Sequence, residues 1–379
     1  MESTRCEEVA MRKVPLLSYY SEAGAEIGEF AGWSTPLWFT SNREEHLAVR
    51  SSVGIFDVTH MTRIAVKGRD SEKLLQDVLT IDVEKLKPGK MKYCLMCNES
   101  GGIIDDLTVF RHPTDGELFI LVCNAITHDK VLAVLNQRAQ NLDVEIMDLT
   151  SETSLYAVQG PKSLEILSKS LGLDLSGLKW FSGVEYKIED VYTLITRSGY
   201  TGENGYELML WSWEIEKLKK IWSRIVKSGS TPCGLAARDS LRLEAGYPLY
   251  GQDIDEKVNP VDARLIFAVD LSKEFFVGKE AVEKAIASEK PRRLLVGFKI
   301  IERGIPRRGY RILSRDNRIV GETTSGGFSF TLGIGIGLGY VSSEYANEGE
   351  KLKLEVKDKY KEIEITLKPI IAHRMKQVP

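Results

Sequence analysis

KPGKMKYCLMCNESGGIIDDLTVFRH, residues 87–112, reads as two strands joined by a turn at NESGG. The second strand opens on two glycines and then sets two acids, Asp105 and Asp106, side by side in an apolar run. A carboxylate buried there has to be paired, hydrogen-bonded or functional, because burying it bare is costly. Neighbours on a strand face opposite ways. Ile103, Asp105, Leu107 and Val109 are therefore expected on one face, and Ile104, Asp106, Thr108 and Phe110 on the other.

The segments around this hairpin build a compact unit. IFDVTHMTRIAVKG (55–68) alternates like a strand pair, and SEKLLQDVL (71–79) is a short amphipathic helix with Ser71 as the expected N-cap. ELFILVCN (117–124) is a third strongly apolar strand, and HDKVLAVLNQRAQN (128–141) has apolar residues at helical spacing. The order strand, helix, three strands, helix predicts an α+β unit. Upstream, LLSYYSEAG and SNREEHLAVRSSVG read as helices on either side of FAGWSTPLWF.

Downstream, TSLYAVQGPKSLEILSKSLG (153–172) is a strand followed by a helix, with Pro161 expected in its first turn. Residues 184–211 form a strand meander with glycine turns; 212–229 and 234–246 are amphipathic helices. At AIASEKPRRLLVGFKI (285–300) the pattern changes. Helix gives way to Pro291 and then to short, evenly spaced strands with a hairpin signal at Asp316-Asn317. A separate small β-barrel or sandwich is expected from about residue 290 to 379.

With 379 residues the chain is long enough for two to three domains. A net charge of −3 from 51 basic and 54 acidic residues gives no nucleic-acid footprint. No apolar run reaches the roughly 18 residues that span a membrane. The acidic N-terminal stretch MESTRCEEVAMRK argues against a secretory or transit peptide, so a cytoplasmic location is expected. The five cysteines, Cys6, Cys94, Cys97, Cys123 and Cys233, are scattered and read as reduced thiols. Cys94 and Cys97 form a CxxC without a second one, and no histidines pair at metal spacing, so no metal is expected. GIGIGLG (333–339) lacks the Lys-Ser/Thr of a phosphate loop, and no HExxH, GxSxG or GxGxxG occurs.

Two further segments carry polar groups in apolar surroundings. In RSGYTGENGYELML (197–210), Tyr200 and Tyr206 could stack a planar ligand and Glu207 could accept two donors from a heterocyclic amidine edge; the alternative is a glycine-turn hairpin with an exposed glutamate. In GLAARDSLRLEAGYPLYGQD (234–253), Arg238 and Arg242 lie one helical turn apart on one face, a spacing that taken alone better suits a salt-bridged helix surface.

Taken together, FAGWSTPLWF, VRSSVGIFDVTHM, MCNESGGIIDDLTVF, VQGPKS, SGYTGENGYELML, GLAARDSLRLEAGYPLYGQDIDEKVNP, FVGKEAV and TSGGFS resemble, in order and spacing, the aminomethyltransferase (T-protein) family of the glycine cleavage system. The resemblance runs from about residue 14 to the last strand. It implies an α+β, three-domain cloverleaf: two interleaved α+β folate-binding units within residues 1–285, one of them roughly 55–145, and a C-terminal β-barrel over 290–379. It implies transfer of the methylene of an aminomethyl group, carried on the dihydrolipoyl arm of H-protein, to tetrahydrofolate or a modified pterin as co-substrate. The other glycine cleavage components would be indirect partners, and no nucleic acid or membrane would be.

The family's essential carboxylate matches Asp106, and its pterin-binding acid and folate-contacting arginine match Glu207 and Arg238. Met61, Thr108, Val122, Asn124, Tyr200 and Tyr247 match lining positions. Phe110 and Trp180 stand where tyrosines are usual, keeping an aromatic wall without its hydroxyl, and Arg374 stands near a C-terminal folate-contacting arginine. A folate-binding relative of the same fold without transferase activity is the alternative. The iron–sulfur maintenance relatives carry a cysteine-centred KGCYxGQE-like motif, where this chain reads PLYGQDIDE. A detached folate module of a dimethylglycine- or sarcosine-type dehydrogenase would follow a flavin fingerprint, and none precedes it here.

Overall fold

The computed structural model describes residues 11–288, 292–357 and 359–375. The N-terminal stretch with Cys6, and Pro291 at the change of composition, lie outside the described residues. Two sheets, a closed barrel and a small N-terminal sheet make up the α+β architecture. The five-stranded antiparallel sheet runs in the order Met91–Cys97, Ile103–Arg111, Leu118–Cys123, Thr62–Lys67, Glu145–Asp148. The six-stranded sheet runs Gly183–Ile188, Val191–Thr196, Gly205–Leu210, Ser154–Gln159, Gly54–Asp57, Thr231–Cys233.

Period-2 alternation gives each sheet an outer face for helices and an inner face for the other sheet. On the six-stranded sheet, Tyr206, Leu208 and Leu210 pack outward with Leu218, Ile221, Trp222 and Ile225 of the helix Ile215–Lys227. On the five-stranded sheet, Leu107, Val109 and Leu121 pack outward against Leu74, Leu75, Val131 and Leu135 of the helices Ser71–Val78 and His128–Arg138. Each such side chain contributes about 1.5–3 kcal/mol by leaving water. The inner faces meet in a third core that includes Met91, Phe110, Ile120, Leu155, Leu194 and Met209.

Several local expectations change. The two strands within 55–68 form, but Gly54–Asp57 joins the six-stranded sheet and Thr62–Lys67 the five-stranded one, so the loop between them carries the chain from one sheet to the other. FAGWSTPLWF belongs to an unforeseen hairpin, Glu26–Phe30 with Trp33–Trp38, that turns through Ala31 and Gly32 at φ 49° and 79°. The helix after Pro161 starts only at Ser163, beyond a turn in which the Ser163 N–H donates to Gly160 O at 3.0 Å. Asp70, not Ser71, holds the N-cap position, because the Ser71 hydroxyl donates to Glu117 O at 2.7 Å.

From Arg293 the chain closes a six-stranded barrel in the order Arg293–Ile300, Ile334–Ser342, Ile319–Ser329, Arg311–Leu313, Lys351–Val356, Lys359–Thr366, returning to the first strand. The GIGIGLG run is thus largely barrel strand, as its alternation of glycine with Ile and Leu suggests. Barrel residues Leu338 and Tyr340 share a core with Leu95 and Ile103 of the five-stranded sheet and Leu243 of the helix Leu235–Glu244. That helix therefore sits where all three units meet.

Its last residue, Glu244, is fully buried and anchors the junction. It accepts from His46 Nε2 at 3.0 Å, Arg50 Nε at 3.0 Å, Ser329 Oγ at 2.6 Å and Thr331 Oγ1 at 2.8 Å. Burial pushes its carboxyl up, but the His46 bond and charge, Ser329 and Arg50 outweigh this and bring it down from 4.5 to about 2. A depressed folded-state value stabilises the fold above the unfolded value and is lost as pH falls from about 4.5 toward 2. Urea midpoints measured across that window should fall steeply for the wild type. Glu244→Gln should be less stable at pH 7 by on the order of 3 kcal/mol and show a shallower acid slope. An unchanged slope would remove Glu244 from the acid response.

Candidate functional site between two sheets

Both glycines of the opening stretch have a geometric reason. Gly101 takes φ +79°, and a side chain on Gly102 would strike the carbonyl of Glu256. Asn98 Oδ1 accepts from Ser100 N at 3.0 Å and Gly102 N at 2.8 Å, which fixes the turn. The pairing then slips by one residue: Met96 faces Asp105 but Cys97 faces Ile103, leaving Ile104 as a bulge. This inverts the two isoleucines relative to simple alternation. Ile104 packs with Leu107 and Val109 on the outer core, and Ile103 joins the three-unit junction.

Beyond the bulge alternation resumes, and the two acids split. Asp105 is completely buried on the outer side, with Thr127 and Cys123 among its neighbours. Asp106 faces inward and is only partly covered; its Oδ2 accepts the Tyr93 hydroxyl at 3.0 Å. They are nevertheless joined. Asn124 Nδ2 donates to Asp105 Oδ1 at 2.7 Å and to Asp106 Oδ1 at 2.8 Å, and the Asn124 N–H donates to Asp105 Oδ2 at 3.2 Å. Burial, with the neighbouring Asp106 charge, holds the Asp105 carboxyl well above the ordinary range. Burial pushes Asp106 up to about 7, against the bonds from Tyr93 and Asn124. Burial thus lifts both carboxyls, and Asp106, the partly covered one, is poised to exchange a proton near neutral pH.

The facing wall comes from the six-stranded sheet. Glu207 shares an inner face with Met209, opposite Phe110, Ile120 and Val122, and these residues with Met91, Leu194 and Thr196 line a pocket between the sheets. The Ser198 hydroxyl donates to Glu207 Oε2. Arg238, on the junction helix, lies over the Tyr200 ring at 4.9 Å, and Tyr200 stacks on Tyr247 at 5.6 Å and 19°. Burial lowers the Arg238 guanidinium, with Glu207 opposing, and its Nη1 has no hydrogen-bond partner among the described residues. A half-buried guanidinium whose buried Nη1 has no partner among the described residues, set beside an acid, suits a polar ligand.

Of the residues singled out in the sequence, Asp106, Thr108, Phe110 and Val122 come together on the inner side of the five-stranded sheet, and Asn124 reaches them from the end of the Leu118–Cys123 strand. Met61 packs against the inter-sheet core from the crossing loop. Glu207, Arg238, Tyr200 and Tyr247 form the opposite side. Trp180 lies one ring further out, stacked at 5.1 Å on Phe181, which itself packs on that core. Arg374 is engaged elsewhere, with Nε on Glu203 Oε1 at 3.2 Å and Nη2 on Arg50 O at 2.8 Å.

Three contributors escaped the sequence reading. Tyr93 sits directly across from Thr108, so its hydroxyl reaches Asp106; cross-strand register would have revealed it. Asp253 is buried, accepts Arg242 Nη1 at 2.8 Å and so fixes the arginine one turn beyond Arg238. His60 is buried in the crossing loop with Nδ1 unpartnered among the described residues, and burial with the nearby Arg238 and Arg63 charges lowers it to about 3. Among the described residues no three His, Cys, Asp or Glu side chains gather as a metal site, and no helix is long and apolar enough to cross a membrane.

Residues 16–273 match the family model described as the GCVT N-terminal domain, and residues 293–371 match that of the glycine cleavage T-protein C-terminal barrel domain. The aminomethyltransferase of Geobacillus kaustophilus is 41% identical over 357 residues, covering 92% of this chain and 95% of that protein. That of Thermotoga maritima is 43% identical over 336 residues, covering 88% and 90%. The crystal structure of glycine cleavage system aminomethyltransferase T from Bartonella henselae superposes with a TM-score of 0.90 at 34% identity, covering 97% of this chain and all of that one.

Proposed function

Because the chain belongs to the glycine cleavage T-protein family of aminomethyltransferases, we propose that it moves the methylene of an aminomethyl group from the dihydrolipoyl arm of H-protein to tetrahydrofolate. The products are 5,10-methylenetetrahydrofolate, ammonia and reduced H-protein. Two N–H protons leave the folate; one ends on ammonia and the other on the released thiol. The observation that carries this reading is that two acids lie on the inner faces of opposite sheets: Glu207 in the pocket lining, and Asp106, raised to about 7, on the face that carries Phe110.

The residues present suit the folate. Glu207 can accept two donors from the amidine edge of the pterin, and the Arg238 guanidinium, whose Nη1 has no acceptor among the described residues, supplies donors. Phe110, Val122 and Met209 give flat apolar cover. Asp106 then orients the folate and takes a proton from the attacking nitrogen, held against drift by Tyr93 and Asn124. Much of the remaining acceleration comes from fixing two carriers in attack geometry. The four described cysteines are buried and free, in keeping with a reducing cytoplasm.

The test is to incubate the protein with aminomethyl-loaded H-protein, with and without tetrahydrofolate, and follow ammonia and methylenetetrahydrofolate. Folate-dependent, equimolar release of both is expected. Ammonia release that ignores folate would sink the proposal and favour the folate-binding relative without transferase activity.

A further inference from the structure

The C-terminal segment leaves the barrel and returns to the site. The Ile371 N–H donates to Glu244 O at 2.8 Å, His373 Nε2 donates to Ala245 O at 2.8 Å, and the Arg374 N–H donates to Gly202 O at 2.7 Å. Two of these acceptors are carbonyls at the end of the helix Leu235–Glu244, which lack partners inside the helix. The same helix carries Arg238. A carbonyl can only accept, so Nε2 of His373 bears the proton.

Above this hydrogen bond the His373 ring packs on Tyr247 at 5.0 Å, and the Tyr247 hydroxyl points at Met375 Sδ, 3.6 Å away. Tyr247 stacks on Tyr200 at 5.6 Å, and Arg238 lies over Tyr200 at 4.9 Å. A continuous run of ring contacts thus links His373, Tyr247, Tyr200 and Arg238, from the C-terminal segment to the guanidinium. Tyr200 is pinned from its far end, where its hydroxyl donates to Pro248 O. Among the described residues the Tyr247 hydroxyl reaches no backbone carbonyl, and the ring is held by the segment that covers it.

We propose that residues 370–375 are a strap that positions the aromatic end of the ligand site, with His373 setting the Tyr247 ring and, through it, Tyr200 and Arg238. This rests on the reading that Tyr200, Tyr247 and Arg238 line the folate site. His373 is a positioning residue, since it acts through Tyr247 and has no assigned contact with the reacting atoms. Loss of the ring would leave Tyr247 free to rotate before ligand binds, so it raises the cost of binding and leaves the chemistry of the filled site intact.

Calorimetric titration with 5-formyltetrahydrofolate, a stable folate, separates the possibilities, with steady-state kinetics and thermal melts alongside. His373→Ala should weaken binding and raise KM for tetrahydrofolate about tenfold, the size of one lost aromatic contact, with kcat at saturating folate within about twofold of wild type. His373→Phe, which keeps the ring and loses the Nε2–H donor, should return affinity to within about threefold, and it carries the test if the alanine variant fails to fold. Wild-type affinity in His373→Ala overturns the strap, as does an equal loss in both variants or a fall in kcat at unchanged affinity. If the wild type itself takes up no folate, the folate reading fails instead, and the two failures are distinguishable.

Discussion

Asp106→Asn is expected to lower turnover at least about 100-fold while leaving folate affinity and the melting temperature close to wild type. The side chain is isosteric: its oxygen can keep the Asn124 Nδ2 bond, 2.8 Å in the wild type, while its amide nitrogen donates to the Tyr93 hydroxyl, 3.0 Å away, which can turn to accept. What disappears is the proton exchange, which ordinarily contributes two to four orders of magnitude. Wild-type turnover should rise with pH through an ionisation at about 7, the value to which burial lifts Asp106, because the carboxylate is the proton-accepting form. The variant should lack that limb. Asp105→Asn is the matched control. Its neighbouring donors, Asn124 Nδ2 at 2.7 Å and the Asn124 N–H at 3.2 Å, both need acceptors, so an amide there wastes one bond. That should cost about 1–2 kcal/mol of stability and leave turnover within about tenfold. Equal kinetic losses in the two variants would dissolve the division of labour between them.

Glu207→Ala should act on binding, weakening folate affinity by roughly 10- to 100-fold, the worth of a hydrogen bond to a charged group. Two changes reinforce each other there. The ligand loses its acceptor, and Arg238 loses the negative charge that offsets its burial. Ser198, which donates to Glu207 in the free protein, would be left without that acceptor. At saturating folate, turnover should recover to within a fewfold of wild type. Calorimetry that returns an unchanged affinity would remove Glu207 from the pterin edge.

What the sequence revealed of this site depended on alternation, and what it hid depended on partners. Period 2 alone separated Asp105 from Asp106, and the structure keeps them on opposite faces. The bulge at Ile104 was invisible because it exists only relative to Met96 and Cys97 on the neighbouring strand. The link through Asn124 was invisible for the same reason: it is 18 residues from Asp106 and reaches it only across a strand pair. Residues 55–68 alternate in the same way whether their two strands pair or join different sheets, so the crossing loop could not be read locally. The hairpin over FAGWSTPLWF was obscured by Pro36, a residue that ordinarily demotes a strand; it is tolerated beyond the two-residue pairing of Trp33 and Ser34 with Arg12 and Lys13.

The barrel shows the opposite case. Its strands announce themselves by steady spacing and a turn at Asp316-Asn317, where Asn317 takes φ 66°. Whether they close could not be read from spacing, since closure depends on Lys359–Thr366 returning to Arg293–Ile300 across most of the unit. Closure fixes the surface that the barrel presents to the helix carrying Arg238.

The most direct test is a crystal structure of the protein grown with 5-formyltetrahydrofolate. The pterin should lie between the two sheets, its amidine edge on the Glu207 carboxylate and its reacting nitrogens toward Asp106. A folate bound elsewhere, or one seated between the sheets with its pterin turned away from Glu207, would contradict the assignment of the two walls.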